Sequence, residues 1–331
     1  MHPILFRLPG LDLPIRSFGV MVAAGMFLAI WIWGKLLEKH GDDPEEDPLK
    51  SSQVAVWVVI GILVGARALY ITVESARYLA ADVTEEAEAV LEARGMERAT
   101  LELKLRQKDP EALERALAVQ VGHDFLDDPV QMLMVWKGGL VMYGGLFGAI
   151  LFGLWRSRVT NLERWNAFDT CMVASFFGLA VGRWGCLLVG DDFGSVVPES
   201  YAHLPFPLTI TVPEPEALAA MKPDSLFPSE YAGQKLWATQ IWMSLNAIVV
   251  GLVGWLALRR RTWRGQAAAV ILVHYSITRF LIEMFRGDEI RGVWFGTVST
   301  SQLISIVGLA IGVALLLRRP GPPVEPRAGV A

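Results

Sequence analysis

Seven apolar stretches recur along the chain, and they constrain its fold more than any other feature of the sequence. A helix needs about 20 apolar residues to cross the hydrocarbon core of a bilayer. We therefore expect an all-α integral membrane protein of about seven transmembrane helices, with residues 1–331 forming a single transmembrane domain. The stretches near the required length are 18–34, 54–73, 138–155, 168–190, 236–258, 267–285 and 301–317.

The amino-acid composition also favours a membrane protein and argues against several other classes. Hydrophobic residues make up 53% of the 331 residues and charged residues 19%, which is unusually apolar for a soluble domain of this length. The formal charge of −4 provides no basic surface, so we do not expect nucleic acid as a partner. The two cysteines, Cys171 and Cys186, belong to no CxxC motif or Cys/His cluster. No metal or redox cofactor is therefore expected.

Lysine and arginine in short loops predict the orientation, because these residues collect on the cytoplasmic side. Basic residues follow the third, fifth and seventh stretches, at Arg156 and Arg158, at 259–264 and at 318–319. Those ends are predicted to be cytoplasmic. The N-terminus is then expected on the periplasmic side of a bacterial inner membrane, and residues 320–331 are expected to form a flexible cytoplasmic tail.

Two long polar segments fall on the periplasmic side in this orientation. The first, 74–128, carries Glu and Arg at spacings that pair across a helical turn, and it predicts a helical insertion. The second, 191–234, is rich in proline and contains the β-prone run 208–212. It predicts an irregular head segment outside the membrane.

Arg67, Arg183 and Arg279 lie inside apolar stretches, where a charge costs about 2.5 to 3.5 kcal/mol on insertion scales. Glu283 and Arg286 follow Arg279 at helical spacings. A guanidinium group suits phosphate, because it offers parallel donors and keeps its proton. We expect a site for an anionic lipid headgroup. A structural ion pair, or a transporter site for a carboxylate or chloride, remains open.

Glycines cluster in two places near these arginines. The run 138–148 contains Tyr143, Gly144 and Gly145, and the run 182–194 contains Asp191 and Gly194. Glycine lets the backbone approach a ligand or another helix closely. Ligand binding and helix packing both remain open for the first run, while the second predicts a turn with carboxylates beside Arg183.

The order and spacing of these motifs resemble the prolipoprotein diacylglyceryl transferases, the bacterial membrane enzymes that start lipoprotein maturation. No single motif decides the resemblance, but together they cover nearly the whole chain. The matching segments are 17–21, 65–67, 128–129, 136–139, 143–146, 182–194, 275–280, 283, 286 and 301–305.

The resemblance implies transfer of the diacylglyceryl group of phosphatidylglycerol to a prolipoprotein within the lipid bilayer. The acceptor is the thiol of the lipobox cysteine in the prolipoprotein signal peptide, the product is a thioether, and glycerol phosphate is released. Arg183 and Arg279 would hold the headgroup, and Tyr143 would be the third catalytic residue. The substrate-binding positions implied are Arg67, Gly144, Gly145, Asp191, Gly194, Tyr275, Glu283 and Arg286.

Several positions depart from the family pattern. The family usually has histidine at Tyr143, asparagine at Cys186 and Val189, glutamate at Asp191 and tyrosine at Phe18. Histidine accepts a proton at neutral pH, whereas an ordinary phenol keeps its proton up to about pH 10. Tyr143 would act as the proton acceptor only if nearby arginines favoured its ionised form. Two alternatives therefore stay open, an enzyme of the same fold with another acceptor or lipid and a non-catalytic phospholipid-binding membrane protein.

Overall fold

A computed structural model describes residues 2–7, 14–80, 125, 128–134, 139, 141–222, 224–287, 293–294 and 298–324. Within these residues the chain is mostly helical, and each predicted apolar stretch coincides with a long helix. The helices are α1 (Ser17–His40), α2 (Glu46–Ala80), α3 (Met142–Val159), α4 (Arg164–Val189), the short α5 (Pro215–Ala220), α6 (Thr239–Arg260), α7 (Gln266–Glu283) and α8 (Thr300–Arg318).

Five of these helices are long and apolar enough to cross a membrane: α1, α2 as far as Ala76, α4, α6 and α8. The predicted all-α membrane fold is therefore confirmed. The helices α3 and α7 are 18 residues long. Both carry charged side chains, such as Arg156 in α3 and Glu283 in α7, which lower their apolar character. The count of seven spans stays a prediction.

The chain divides into two compact units, one formed by Met1–Ser52 with Leu162–Ala331 and the other by Gln53–Asn161. In the first unit α4 is central, because α1, α6 and α7 all pack against it, and α8 packs against α7. A buried hydrogen bond of 3.0 Å from Trp33 Nε1 to Thr170 Oγ1 ties α1 to α4. This arrangement brings the ends of α4 and α7 together.

In the second unit, glycines bring α2 and α3 into close contact. A Cβ atom added to Gly144 would lie 2.6 Å from the Cβ of Leu69, and it would also overlap the carbonyl oxygen of Gly65. Small residues at such positions let helix backbones approach each other within a membrane. The predicted glycine run therefore contributes to helix packing.

Short antiparallel strands complete the described structure. The strands β1 (Ile4–Arg7) and β2 (Pro14–Arg16) pair, as do β3 (Thr209–Thr211) and β4 (Lys235–Trp237), and β5 (Val293–Trp294) and β6 (Val298–Ser299). The β-prone run 208–212 is confirmed by β3. On its other side β4 pairs with Val196. The buried side chains of Phe193, Leu218, Phe227 and Leu236 form a small core beneath these strands.

The predicted extramembrane segments are described only in part. Of the segment 74–128, residues 74–80 continue α2, and most of the remainder lies outside the described residues. The predicted tail begins against the loop after α6, since Arg264 N–H donates to Pro322 O at 2.9 Å and Val324 N–H donates to Thr262 O at 3.0 Å. Residues beyond 324 lie outside the described structure. The side of the membrane on which each segment lies stays a prediction.

Candidate active site

The turn that ends α4 forms the first part of the candidate site. Gly190 ends the helix with a φ of 84°, a left-handed conformation in which glycine is strongly favoured. Its N–H donates to Cys186 O at 2.9 Å. Two side chains at the start of α6 hold the next residues, because Thr239 Oγ1 donates to Asp192 O at 2.8 Å and Gln240 Nε2 donates to Asp191 O at 2.9 Å. The turn thus directs Asp192 back towards α4.

The Asp192 carboxylate joins two arginines. One oxygen pairs with Arg183 of α4 and the other with Arg286, which lies in the turn after α7. Burial opposes the ionisation of this carboxyl, but the charges of Arg183, Arg286 and Arg279 outweigh it and hold its pKa below the ordinary value. Asp192 is therefore an anion at neutral pH.

Arg279 is held by a second acidic group. It pairs with Glu283 one turn later on α7, and its Nη2 donates to Ser301 Oγ of α8 at 3.1 Å. Glu283 Oε2 also lies 3.9 Å from Arg286 Nη1. Glu283 is 1% exposed. These five groups, Arg183, Arg279, Arg286, Asp192 and Glu283, are called the arginine cluster below.

The three guanidinium groups of the arginine cluster pair with Asp192 and Glu283, and a carboxylate oxygen of Asp191 lies within 4.8 Å of one of Asp192, so three acids balance the three positive charges. The N-terminus of α8, where Ser301 lies, adds a positive helix dipole. Among the described residues, the Nε of Arg183 is buried and has no hydrogen-bond partner. A phosphate oxygen would supply that partner through a charge-assisted bond.

Gly194 and Tyr275 border the arginine cluster. Gly194 forms an antiparallel bridge with Arg286, and its N–H donates to Trp237 O at 3.1 Å. A Cβ atom on Gly194 would lie 2.6 Å from the Trp237 Cβ, so a larger residue does not fit. Tyr275 lies one turn before Arg279, and its ring packs edge-on against Phe176 with 4.9 Å between ring centroids.

The structure brings together most of the site residues predicted from the first unit, with two differences. The carboxylate that joins the arginines belongs to Asp192 and not to the predicted Asp191, whose Oδ1 accepts the Asp192 N–H at 2.9 Å. The sequence indicated Asp192 only as the second of two adjacent acids in one glycine-bounded turn. In addition, Arg286 follows the end of α7 at Glu283 instead of continuing its helical face.

The other predicted residues belong to the second unit. The guanidinium of Arg67 donates to three backbone carbonyls: Met132 O at 2.8 Å, Gln131 O at 2.6 Å and Gly139 O at 3.1 Å. Arg67 therefore holds the segment that precedes α3. Its predicted contact with a headgroup stays a prediction. Tyr143 is half-buried in the first turn of α3, and Gly144 and Gly145 follow it.

Comparison with known proteins supports the family resemblance. The family profile described as prolipoprotein diacylglyceryl transferase matches residues 3–96 and 116–318. A phosphatidylglycerol–prolipoprotein diacylglyceryl transferase from Thermosynechococcus vestitus is 25% identical over 313 residues, which are 93% of this chain and 91% of that protein. The proteins of the same name from Bacillus velezensis and Synechococcus elongatus are 25% and 24% identical, over 96% and 91% of this chain and 92% and 82% of their own lengths. The chain therefore belongs to the prolipoprotein diacylglyceryl transferase family.

Proposed function

We propose that this protein is a transferase that moves the diacylglyceryl group of phosphatidylglycerol to the thiol of a lipobox cysteine in a prolipoprotein. The sulfur forms a bond to a glyceryl carbon while the bond from that carbon to the phosphate oxygen breaks. The electron pair leaves with glycerol phosphate, and the thiol gives up its proton. Family membership supports this reaction, and the buried Nε of Arg183, which has no hydrogen-bond partner among the described residues, is the observation that carries it.

The arginine cluster suits the charge change in this reaction. The lipid phosphate carries one negative charge, and the departing monoester carries about −1.5 to −2 at neutral pH. Donors aimed at the developing charge stabilise the transition state more than the bound lipid. The proposed catalytic arginines are Arg183, whose buried Nε has no hydrogen-bond partner among the described residues, and Arg279. Glu283, Arg286 and Asp192 fix the positions of their guanidinium groups.

The thiol proton needs an acceptor, and the proposal assigns this role to Tyr143. The assignment rests on the family resemblance, in which Tyr143 occupies the place of the usual histidine. Substrate contacts are proposed for further residues on the same basis. They are Arg67, Gly144, Gly145, Asp191, Gly194 and Tyr275.

The proposed partners are phosphatidylglycerol and the signal peptide of a secreted preprotein, so the site must be reached from a bilayer. We place the protein in a bacterial inner membrane with its N-terminus in the periplasm and its C-terminus in the cytoplasm. The arginines in the last turns of α3 and α6 support this orientation. The insertion 74–128 and the head 191–234 then lie in the periplasm.

A second candidate function is phospholipid binding without transfer. The observation that favours it is tyrosine in place of the usual proton acceptor, since a phenol gives up its proton far less readily than an imidazolium group. A phospholipid-binding protein of this kind would keep the arginine cluster and bind phosphatidylglycerol without releasing glycerol phosphate.

The deciding experiment follows label from phosphatidylglycerol to a lipobox peptide, with the purified protein in nanodiscs. The Arg183→Ala variant is expected to lose at least about 100-fold in turnover, because removal of one donor to a developing oxyanion has that effect. Arg183→Lys keeps the positive charge but loses the parallel N–H donors of the guanidinium group, so it should retain more activity than Arg183→Ala. Arg259→Ala is the matched control, because Arg259 stacks on Trp255 at the other end of α6.

The proton acceptor is tested by Tyr143→Phe, which removes only the hydroxyl group. Loss of turnover with retained lipid binding is expected. If the wild-type protein binds phosphatidylglycerol but transfers no label to any lipobox peptide, the transferase proposal fails and the second candidate function is supported.

A further inference from the structure

The outer edge of β3 presents main-chain groups that β4 does not use. In an antiparallel ladder, alternate residues direct their N–H and C=O groups to the partner strand, and the residues between them direct theirs away. Val212 N–H donates to Gln234 O at 2.9 Å, so the even-numbered residues around β3 face β4. Thr209 and Thr211 therefore point their main-chain groups outwards.

Of these outward groups, those of Thr211 are open. Thr209 N–H donates to Pro205 O at 3.4 Å, and Thr209 is 1% exposed, so its carbonyl is closed to another chain. Thr211 is exposed, and both of its main-chain groups bond to no other residue in the part of the chain that the structure describes. An edge strand with such groups is a template for the addition of another extended chain.

A cavity of about 320 Å³ adjoins this edge. Leu187, Phe206 and Ile210 give it apolar walls, and Thr211 and Lys235 give it a polar side. In an added strand, alternate side chains would point to the same face, so one apolar side chain could enter the cavity while the backbone pairs with β3. An acyl chain would fill the apolar walls but leave the main-chain groups unpaired.

The cavity lies close to the arginine cluster. Leu187 follows Arg183 by four residues on α4, which is a rise of about 6 Å along the helix. On the other side of β4 lies the segment that contains Gly194, about 10 Å from β3 at the usual strand spacing. An extended chain covers about 3.3 Å per residue. A peptide on the outer edge of β3 lies one strand spacing further away, about 15 Å from that segment, so it would reach the arginine cluster within about four or five residues.

We propose that β3 is the docking strand for the acceptor protein. An extended segment next to the acceptor cysteine pairs with Thr211, places an apolar side chain in the cavity, and so presents the thiol to the arginine cluster. This inference rests on the proposed transferase function. It assigns recognition of the acceptor to main-chain pairing, which tolerates many acceptor sequences.

The first test removes a main-chain donor. Thr211→Pro deletes an N–H that points away from β4, so the β3–β4 ladder keeps its hydrogen bonds. The variant is expected to raise KM for the lipobox peptide at least tenfold, with kcat within twofold and KM for phosphatidylglycerol unchanged. Thr211→Ala keeps the N–H and should raise the peptide KM less than threefold. An unchanged peptide KM in a folded Thr211→Pro variant would overturn the proposal.

The second test does not depend on turnover. A photoreactive p-benzoylphenylalanine replaces Phe206, which lines the cavity and is 58% exposed, and in a control it replaces Trp255, which is 37% exposed near the other end of α6. Labelled lipobox peptide should crosslink at position 206 but not at 255, and excess unlabelled peptide should suppress the crosslink. Crosslinking of labelled phosphatidylglycerol alone at position 206 would identify a lipid groove and refute peptide docking. Peptide crosslinking without turnover would support docking while refuting the transferase.

Discussion

The replacement Asp169→Asn perturbs a buried ion pair at the start of α4, at the other end of this helix from the arginine cluster. Asp169 is 0% exposed. Its Oδ2 accepts bonds from Arg261 Nη1 at 2.7 Å and from Gly265 N–H at 2.8 Å, and its Oδ1 accepts Ala268 N–H at 2.8 Å. The carboxylate thus joins α4 to the loop before α7 and to the first turn of α7.

The expected loss follows from these contacts. Removing one partner of a buried pair costs about 3 to 5 kcal/mol, because the other charge stays buried without its counter-ion. The amide of the introduced asparagine also has only one oxygen, so its NH₂ group would face a backbone N–H that donates to the carboxylate in the wild-type protein. We expect the free energy of unfolding to fall by about 4 kcal/mol. At roughly 1.5 °C per kcal/mol for a chain of this size, the apparent Tm should drop by about 6 °C.

Thermal unfolding in detergent, followed by tryptophan fluorescence, measures this loss. The control is Asp42→Asn, because Asp42 pairs with Arg264 while its side chain is 48% exposed, and an exposed pair contributes under about 1 kcal/mol. Adding Arg261→Met to Asp169→Asn should recover part of the loss, since no uncompensated charge remains. Equal Tm values for the Asp169→Asn and Asp42→Asn variants would refute the reasoning.

Three further predictions concern the glycines and the acid side of the arginine cluster. Gly144→Ala should destabilise the protein by about 2 kcal/mol or more through overpacking, whereas Gly145→Ala, whose added Cβ would have its nearest neighbour at 3.3 Å, should cost much less in the same thermal assay. Gly194→Ala should lower transfer activity and Tm together, because its Cβ has no space; an active, stable variant would contradict this. The pKa of Asp192 is lowered by its arginines against the effect of burial, so its stabilisation is present above about pH 4 and is lost as the pH falls through the lowered pKa. The Tm difference between wild type and Asp192→Asn should therefore shrink from pH 5 to pH 3, and a constant difference would show that the ion pairs contribute nothing.

The long helices could be predicted from the sequence, but their ends could not. The stretch 18–34 became α1, which continues to His40, and the stretch 54–73 became α2, which runs from Glu46 to Ala80. Hydropathy marks the part of a helix that suits a bilayer. The same helix continues into polar residues, because backbone hydrogen bonding does not end where the apolar side chains do.

The candidate site was predictable as a set of charges and not as a set of contacts. Charge within apolar stretches singled out Arg183 and Arg279. Which of two adjacent acids faces them depends on the backbone, since Asp192 adopts a φ of 54°. Arg67 was singled out by the same rule. Its donors bond to the backbone carbonyls of Gln131, Met132 and Gly139, which no pattern of residue types reveals.

The carboxylate shared by Arg183 and Arg286 gives the site an internal counter-ion. An entering phosphate would find these two arginines already paired with Asp192. Its binding free energy would therefore reflect only how much more strongly the guanidinium groups attract phosphate than they attract Asp192. The same difference governs departure. In the proposed reaction, Asp192 can pair with both arginines again as the highly charged glycerol phosphate leaves, so no ion from solution is needed to restore the site.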